Sequence, residues 1–201
     1  GSERWYTYEK EWNKNLKYRQ DAYNIDLIAG SYYIRVTANY NFSWTSNETG
    51  NYSFKTGFQS ANETFAEPNN DFTTANSIYL GQPVNGQIAA NDSKDIYVFN
   101  LSGNTGVALN MDAYLAYYTL EIYDINGKLV WYTDNNYWNE KVRYRKDVYD
   151  TELSAGQYYM CVTGCRFKGN GNAATGNYTL SLNAQIPLNG ASVSKIADKT
   201  Y

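Results

Sequence analysis

The chain of 201 residues contains no histidine, only two cysteines and only three prolines. Without histidine, neither a Ser-His-Asp triad nor a Cys-His pair can form, and histidine-based metal hydrolysis is excluded. Two thiols without an imidazole also argue against a zinc site. No apolar run approaches the roughly 20 residues that a membrane-spanning helix needs. The net charge of −3, with lysine and arginine spread along the chain, argues against a nucleic-acid-binding surface.

Catalysis is not expected of this chain. It has no glycine-rich phosphate-binding loop. A carboxylate pair that hydrolyses glycosides stays open on counting alone, because 20 acidic residues always include candidates. No pattern singles out two of them, so we predict a protein that is not an enzyme.

Tyrosine and asparagine are abundant instead, with 22 and 25 residues. This composition is typical of exported bacterial surface modules, and it predicts an extracellular or cell-surface location. Helical periodicity is nearly absent, whereas about eight short runs have the alternation and turn signals of strands. They predict an all-β chain that folds as antiparallel, jelly-roll-like β-sandwich repeats.

The runs 95–102 and 105–112 alternate between apolar and polar residues most clearly. Alternate side chains of a strand point to opposite faces, so one set of each run should face the core. The residues expected to point inward are Ile96, Val98, Leu101, Val107, Leu109 and Met111. Asn126-Gly127 lies between two further β-prone runs and predicts a type I′ hairpin turn, in which both residues have positive φ.

The chain also repeats itself. Residues 5–52 and 131–178 are identical at 20 of 48 positions without a gap, where chance would give about three. Residues 3–60 therefore match the second half of a unit whose complete copy is 66–184. Half a sandwich exposes an apolar face and its edges. We therefore expect residues 3–60 to be completed through a homo-oligomer or a domain swap.

Five motifs follow one another through the complete copy: EPNNDFTTA (67–75), GQI (86–88), NDSKDIYVF (91–99), LSAGQYYMCVT (153–163) and TGNYTLSL (175–182). Together they resemble the bacterial pre-peptidase C-terminal domain. That family includes modules appended to secreted peptidases and the collagen-binding segments of clostridial collagenases. The resemblance implies a jelly-roll-like sandwich, an extracellular setting and no catalysis by the module itself.

The resemblance and the repeat together divide the chain into three parts. Residues 1–65 are the second half of a first repeat, and residues 66–185 are a complete domain. Residues 186–201 are a linker or the start of a truncated module that resembles bacterial immunoglobulin-like surface domains.

The resemblance also implies calcium near the start of the domain in some family members. The residues that match or adjoin that pattern are Glu67, Asn69, Asn70, Asp71, Asp92 and Asp95. Calcium takes six to eight oxygen ligands, which such carboxylates and amides supply. Asn70 stands where the calcium binders often carry Asp, and Phe65 where some carry Glu, so one ion is expected rather than two. The alternative is that these residues only form turns.

An outward aromatic face is the second candidate site. Strand alternation predicts that Tyr159 faces water, and that Arg145, Asp147 and Tyr149 share one outward face. Tyrosine offers flat apolar area with a polar tip, which suits binding of a protein or a glycan. Trp131 and Trp138 flank the hairpin and would stack on sugar rings. The alternative is that these residues form cross-strand pairs of an exposed sheet and that Trp131 is partly core.

The two cysteines, Cys161 and Cys165, leave a further question open. On a straight strand they lie about 13 Å apart, too far for a disulfide. A tight turn at Thr163-Gly164 would bring them within reach.

These observations predict a non-catalytic, calcium-assisted β-sandwich module of a bacterial exported or cell-surface protein, acting in adhesion, targeting or spacing. The alternative is a carbohydrate-binding module of a secreted hydrolase. The expected partner is an extracellular protein or a polysaccharide, with no nucleic acid and no membrane insertion.

Overall fold

The computed structural model describes residues 22–37, 50–115, 117–133, 144–165 and 174–185. Within these ranges the chain is all-β, with nine strands and no helix. The strands are β1 (Asn76–Ser77), β2 (Val84–Ile88), β3 (Lys94–Leu101), β4 (Thr105–Ala113), β5 (Tyr118–Asp124), β6 (Leu129–Tyr132), β7 (Arg145–Leu153), β8 (Gly156–Gly164) and β9 (Gly176–Gln185). A search of the described residues for a helix that could cross a membrane finds none.

Two sheets pack as a sandwich, as the sequence predicts. One sheet has five strands in the order β1-β3-β8-β5-β6, and the other has four in the order β2-β9-β4-β7. The neighbouring strands are antiparallel except for the two-residue pairing of β1 with β3. Most connections cross from one sheet to the other, which is typical of jelly-roll-like sandwiches.

The core lies between the sheets and is built by alternation along each strand. In β4, Val107, Leu109 and Met111 are completely buried, as predicted. Their polar neighbours on the same strand are only partly buried. Burial of one aliphatic side chain contributes roughly 1.5–3 kcal/mol, so this strand anchors the four-stranded sheet.

The predicted orientation of β3 is wrong for Ile96 and Val98. Tyr97, Phe99 and Leu101 belong to the core cluster between the sheets, and the other set lies on the opposite face. Both faces of β3 carry apolar residues, so alternation separates the two sets without showing which one faces the partner sheet. Ile96 is still buried on the outer face.

The hairpin between β5 and β6 forms where the sequence predicts it, but the predicted turn type is wrong. Gly127 has a φ of 76°, and Asn126 is not among the residues with positive φ. The Asp124 N–H donates to the Lys128 carbonyl at 2.9 Å. Asp124 Oδ1 accepts from the N–H groups of Asn126 and Lys128, each at 2.9 Å. The loop therefore has three residues, and only the glycine takes the left-handed conformation.

The two copies of the repeat share a corner but not their surroundings. The complete copy forms β8 between β3 and β5, whereas residues 22–37 contain no strand. At the turn between β7 and β8, the Tyr158 hydroxyl donates to the Ser154 carbonyl at 3.0 Å. At the matching turn of the first copy, the Tyr32 hydroxyl donates to the Ile28 carbonyl at 2.8 Å. The repeated stretch encodes this local corner, whereas pairing into a sheet requires neighbouring strands.

Apolar side chains of the first copy are exposed where their counterparts are buried. Ile34 and Val36 are 61% and 51% exposed, while Met160 and Val162 at the matching positions are 0% exposed. The assembly expected for residues 3–60 stays a prediction.

Residues of the first copy contact the sandwich at the turn between β2 and β3. The Ala90 N–H donates to the Asp26 carbonyl at 3.0 Å. Asn91 Oδ1 accepts from the Ile28 N–H at 3.3 Å, and Asn91 Nδ2 donates to the Tyr32 hydroxyl at 2.9 Å. The same turn leads into the acidic cluster described below.

Neither cysteine forms a disulfide. Cys161 Sγ lies 3.3 Å from Thr163 Oγ1, and Cys165 Sγ lies 3.8 Å from the Thr163 carbonyl oxygen. Burial raises the pKa of Cys161 to about 11. The thiol therefore stays protonated at neutral pH, which makes it a poor nucleophile.

Candidate metal centre

Three carboxylates converge beside the start of β3. Glu67 comes from the segment that leads into β1, Asp92 from the turn between β2 and β3, and Asp95 from β3 itself. One carboxylate oxygen from each residue lies within 4.8 Å of one from each of the other two. Residues from two separate stretches of chain are thus brought into a single cluster.

Backbone hydrogen bonds hold these stretches together. The Ile96 N–H donates to the Asn69 carbonyl at 2.8 Å, which ties the lead-in segment to β3. Asp92 ends a tight turn, in which it exchanges two backbone hydrogen bonds of 2.7 and 3.1 Å with Ala89. The Asn69 N–H donates to Glu67 Oε2 at 3.0 Å and orients that carboxylate. These backbone hydrogen bonds, within the turn and between the lead-in and β3, therefore set the arrangement of the cluster.

Buried side-chain oxygens of the cluster and of the adjoining residues Asn69 and Asn70 lack hydrogen-bond partners among the described residues. They are Asn69 Oδ1, Asn70 Oδ1, Asp92 Oδ1 and Asp95 Oδ1. Asn69 is 2% exposed, Asp92 3% and Asp95 0%. An unsatisfied buried polar atom costs about 1–3 kcal/mol. Two of these oxygens belong to the carboxylate cluster and two to the adjoining residues Asn69 and Asn70, and this arrangement favours an electropositive partner.

Burial and mutual repulsion raise the pKa values of these carboxylates. Burial, and then the charges of Glu67 and Asp92, raise the pKa of Asp95 to about 8. Burial and the charge of Asp92 raise the pKa of Glu67 to about 7. Burial also raises the pKa of Asp92. None of the ion pairs found among the described residues involves these groups. A bound cation would allow all three to ionise together.

Asp71 is not brought to the other predicted ligands. Its Oδ1 accepts hydrogen bonds from the Thr73 hydroxyl at 2.5 Å, the Thr73 N–H at 2.8 Å and the Thr74 N–H at 3.1 Å. These bonds, with the Thr73 hydroxyl first, lower the pKa of Asp71. The side chain closes an exposed turn, which is the structural alternative that the sequence left open.

Two residues near the cluster are not predicted from the sequence. Glu63 has a raised pKa, mainly through burial and in part through the charge of Asp92. The Tyr178 hydroxyl donates to Asp95 Oδ2 at 2.5 Å. Glu63 lies four residues before Glu67, and this short spacing in the sequence is a signal that could have placed Glu63 near the cluster. No local pattern connects Tyr178 with Asp95, which lies 83 residues earlier in the chain.

The donor set fits a hard cation such as calcium. Three carboxylates and two buried amide carbonyl oxygens supply oxygen donors only, without thiol or imidazole. Calcium takes six to eight such ligands, and water or backbone carbonyls commonly complete the set. Zinc and copper prefer nitrogen and sulfur donors, so the chemistry of the cluster discriminates against them.

The predicted outward strip on β7 is wrong in its orientation. Arg145, Asp147 and Tyr149 lie opposite buried residues of β4 and share the inner face with them. Asp147 forms an ion pair of 3.0 Å with Arg145 and accepts a hydrogen bond from the Tyr118 hydroxyl. The Arg145 guanidinium lies 5.3 Å from the centre of the Tyr118 ring. These contacts pair the Asp147 carboxylate with two donors, while Arg145 Nη1 is buried without a hydrogen-bond partner among the described residues.

The other residues of the predicted binding surface are placed differently from one another. Trp131 packs against the core and meets Tyr149 edge-on, with ring centroids 5.9 Å apart. Tyr159 lies on the outer face, as predicted, but Phe72 stacks on it with centroids 4.4 Å apart. Trp138 lies outside the described residues. Trp131 and Tyr159, the two of these aromatic residues that the structure describes, therefore lie on different faces of the sheet.

No protein-family model matches the chain, and no curated protein matches it significantly. Among solved structures, it is similar to the pre-peptidase C-terminal domain of a collagenase from Bacillus anthracis. The identity is 18% and the TM-score 0.43, over 59% of this chain and 100% of that one. It is also similar to dimeric latent PorU from Porphyromonas gingivalis, with 14% identity and a TM-score of 0.25 over 46% of this chain and 10% of that one. At this level of similarity, function has to be argued from the site itself.

Proposed function

We propose that residues 66–185 form a non-catalytic, calcium-binding β-sandwich module of a bacterial exported or cell-surface protein. Its role is adhesion, targeting or spacing within a larger polypeptide. The proposal that the module binds calcium rests on one observation, the buried oxygens without hydrogen-bond partners at and beside the three clustered carboxylates. The exported setting is supported by the composition and by the five motifs that resemble pre-peptidase C-terminal domains.

The proposed ligands are Glu67, Asp92 and Asp95, with the amide oxygens of Asn69 and Asn70. A divalent ion supplies the charge that the three repelling carboxylates lack and a partner for the unsatisfied oxygens. Two of the five groups belong to the β2–β3 region and three to the lead-in segment. The ion therefore cross-links the entry of the domain to the sandwich, and binding stabilises the folded over the unfolded chain.

A calcium titration of the metal-stripped protein tests this proposal. Saturation at 100 times the Kd stabilises the fold by about 2.7 kcal/mol, which raises the Tm of a domain of this size by about 10 °C. Asp92→Asn should weaken binding in isothermal titration calorimetry. Asp71→Asn is the matched control, because that carboxylate closes a turn elsewhere, and it should bind like the wild type. A Tm and a calorimetric trace that do not respond to millimolar calcium would refute the calcium site.

The proposed binding partner is an extracellular protein or a polysaccharide. The carbohydrate-binding alternative has less support, because Trp131 is held against Tyr149 and the core instead of offering a flat exposed ring. A glycan array, and calorimetry against collagen and against polysaccharides, distinguish the two. Polysaccharide binding that is lost in Trp138→Ala would favour the carbohydrate-binding module.

We also propose that residues 3–60 are completed by strands of a second copy of this chain. The support is the exposure of Ile34 and Val36, whose repeat counterparts are completely buried. Light scattering should therefore detect a dimer or larger assembly, and replacing both residues by serine should shift it towards monomer. A monodisperse wild-type monomer at micromolar concentration would contradict the proposal.

A further inference from the structure

The motif Thr-Gly-Asn-Tyr occurs twice in the sequence, and in the complete copy its polar side chains are all bound. Thr175 Oγ1 donates to Asp26 Oδ2 at 2.7 Å. Asn177 Oδ1 accepts from Gln87 Nε2 at 2.9 Å. The Tyr178 hydroxyl reaches Asp95 Oδ2. The motif therefore connects β9 with three other parts of the chain, and its last residue contacts a proposed calcium ligand.

When Asp95 is ionised, as a bound cation requires, the hydrogen bonds behind it have a defined direction. A tyrosine hydroxyl has one proton, and that of Tyr178 is donated to the carboxylate. The Tyr97 and Tyr178 hydroxyl oxygens lie 2.7 Å apart, so Tyr97 must be the donor in this pair. The order is Tyr97 to Tyr178 to Asp95. Hydrogen bonds in such a chain polarise one another, which strengthens the last bond to the carboxylate.

Packing fixes both rings in place. Tyr97 is 1% exposed and Tyr178 is 2% exposed, and both belong to the main core. Gly86 pairs with Tyr178 across β2 and β9. A Cβ at Gly86 would overlap the Tyr178 ring and would lie 2.8 Å from the Tyr97 hydroxyl oxygen. The absent side chain thus provides the space in which the two hydroxyls meet.

We infer that Tyr178 is a positioning residue of the cation centre, holding Asp95 Oδ2 so that Asp95 Oδ1 remains available to the ion. This inference rests on the proposed calcium site. The two oxygens of Asp95 have different roles, because Oδ2 accepts from Tyr178 and Oδ1 has no protein partner. The terminal torsion of an aspartate is soft, so without the hydroxyl the carboxylate is free to rotate.

Tyr178→Phe tests the inference, because it removes the hydroxyl and keeps the ring. Loss of an outer partner of a metal ligand typically lowers metal affinity about 10–100-fold, and we expect a calcium affinity reduced by that factor in isothermal titration calorimetry. The matched control is Tyr52→Phe. Tyr52 ends the other copy of the motif and is 69% exposed, so its substitution should leave the affinity unchanged.

A double-mutant cycle with Asp95→Asn distinguishes positioning from a general structural effect. If Tyr178 acts through Asp95, adding Tyr178→Phe to Asp95→Asn should cause little further loss of calcium affinity. A full additional loss in the double variant would overturn the inference. Hydrogen exchange of metal-free Tyr178→Phe establishes that the core remains folded.

The outcomes for the inference and for the calcium site are separable. Calcium binding by the wild type with equal affinity in Tyr178→Phe overturns the inference and leaves the site standing. Absence of binding by the wild type overturns both. If Tyr178→Phe does not fold, Tyr97→Phe decides instead, because it removes only the donor to Tyr178. We expect it to lower the affinity by a smaller factor, and an unchanged affinity overturns the inference.

Discussion

The metal-free protein should lose stability as the pH rises, and Asp95→Asn should remove the part of that loss that comes from Asp95. In the folded chain, burial and then the charges of Glu67 and Asp92 raise the pKa of Asp95 from 3.8 to about 8. In the unfolded chain the pKa has its ordinary value. The folded state therefore binds the proton more tightly. Its contribution to stability is complete below about pH 4 and is lost as the pH rises through about 8.

The size of the effect follows from the two pKa values. Between them the folded chain holds about one more proton than the unfolded chain, so the free energy of unfolding falls by about 1.4 kcal/mol per pH unit. From pH 5 to pH 7 this amounts to almost 3 kcal/mol, or about 10 °C in the Tm of a domain of this size. Glu67, with a pKa raised to about 7, adds a slope of the same sign.

Thermal unfolding followed by circular dichroism from pH 5 to pH 8 measures this slope. The metal-stripped wild type is compared with Asp95→Asn and with Asp71→Asn, whose carboxylate has a lowered pKa and does not titrate in this range. The control should keep the wild-type slope, and Asp95→Asn should flatten it. Saturating calcium should reverse the slope, because metal ligands must be deprotonated. If the Tm of the metal-free protein falls with pH equally in the wild type and in Asp95→Asn, the reasoning is refuted.

Three further predictions concern the core, the contact between the copies and the buried thiol. Gly86→Ala should lower the free energy of unfolding in urea by about 1–3 kcal/mol, because its methyl group would overlap the Tyr178 ring and lie 2.8 Å from the Tyr97 hydroxyl oxygen. Gly103→Ala, with open space around the Cβ, should change it by less than about 0.5 kcal/mol, and equal values would contradict the packing argument. Asn91→Ala should increase hydrogen exchange in residues 26–32, and unchanged exchange would show that the contact is unimportant. Cys161, buried and with a pKa raised to about 11, should resist iodoacetamide at pH 7.5 until the protein unfolds, as mass spectrometry would show.

The strands themselves are largely readable from local patterns. Val107, Leu109 and Met111 alternate with polar residues on a strand that is apolar on one side only, so the period also identifies the buried face. Asn126-Gly127 marks a hairpin because glycine takes positive φ at little cost. Glu67 lies in the lead-in segment, and Asp92 and Asp95 lie three residues apart at the β2–β3 turn and the start of β3. Most of the acidic cluster was therefore predictable, whereas Asp71 was diverted by bonds to its own turn.

Orientation was not predictable where both faces of a strand carry suitable residues. Ile96 and Tyr97 are both apolar enough for the core, and only the position of β8 and the opposite sheet determines which one faces it. On β7, Arg145 and Asp147 are polar, and the pattern alone assigns them to water. They lie on the inner face, where the Asp147 carboxylate is paired with both Arg145 and the Tyr118 hydroxyl at the sandwich edge.

By itself, the sequence determined the all-β class, the positions of the strands and turns, and the repeated corner, because these depend on contacts within a few residues. The tertiary structure alone decided which face of each strand is buried and which side chains meet across the sheets. The bond from Tyr178 to Asp95 is of this second kind, because it joins residues 83 positions apart and requires the packing of β2, β3 and β9. The first copy illustrates the same limit. Residues 27–37 repeat much of the sequence of β8, yet they belong to no sheet of the described part of the chain, because a strand needs a partner for its backbone groups.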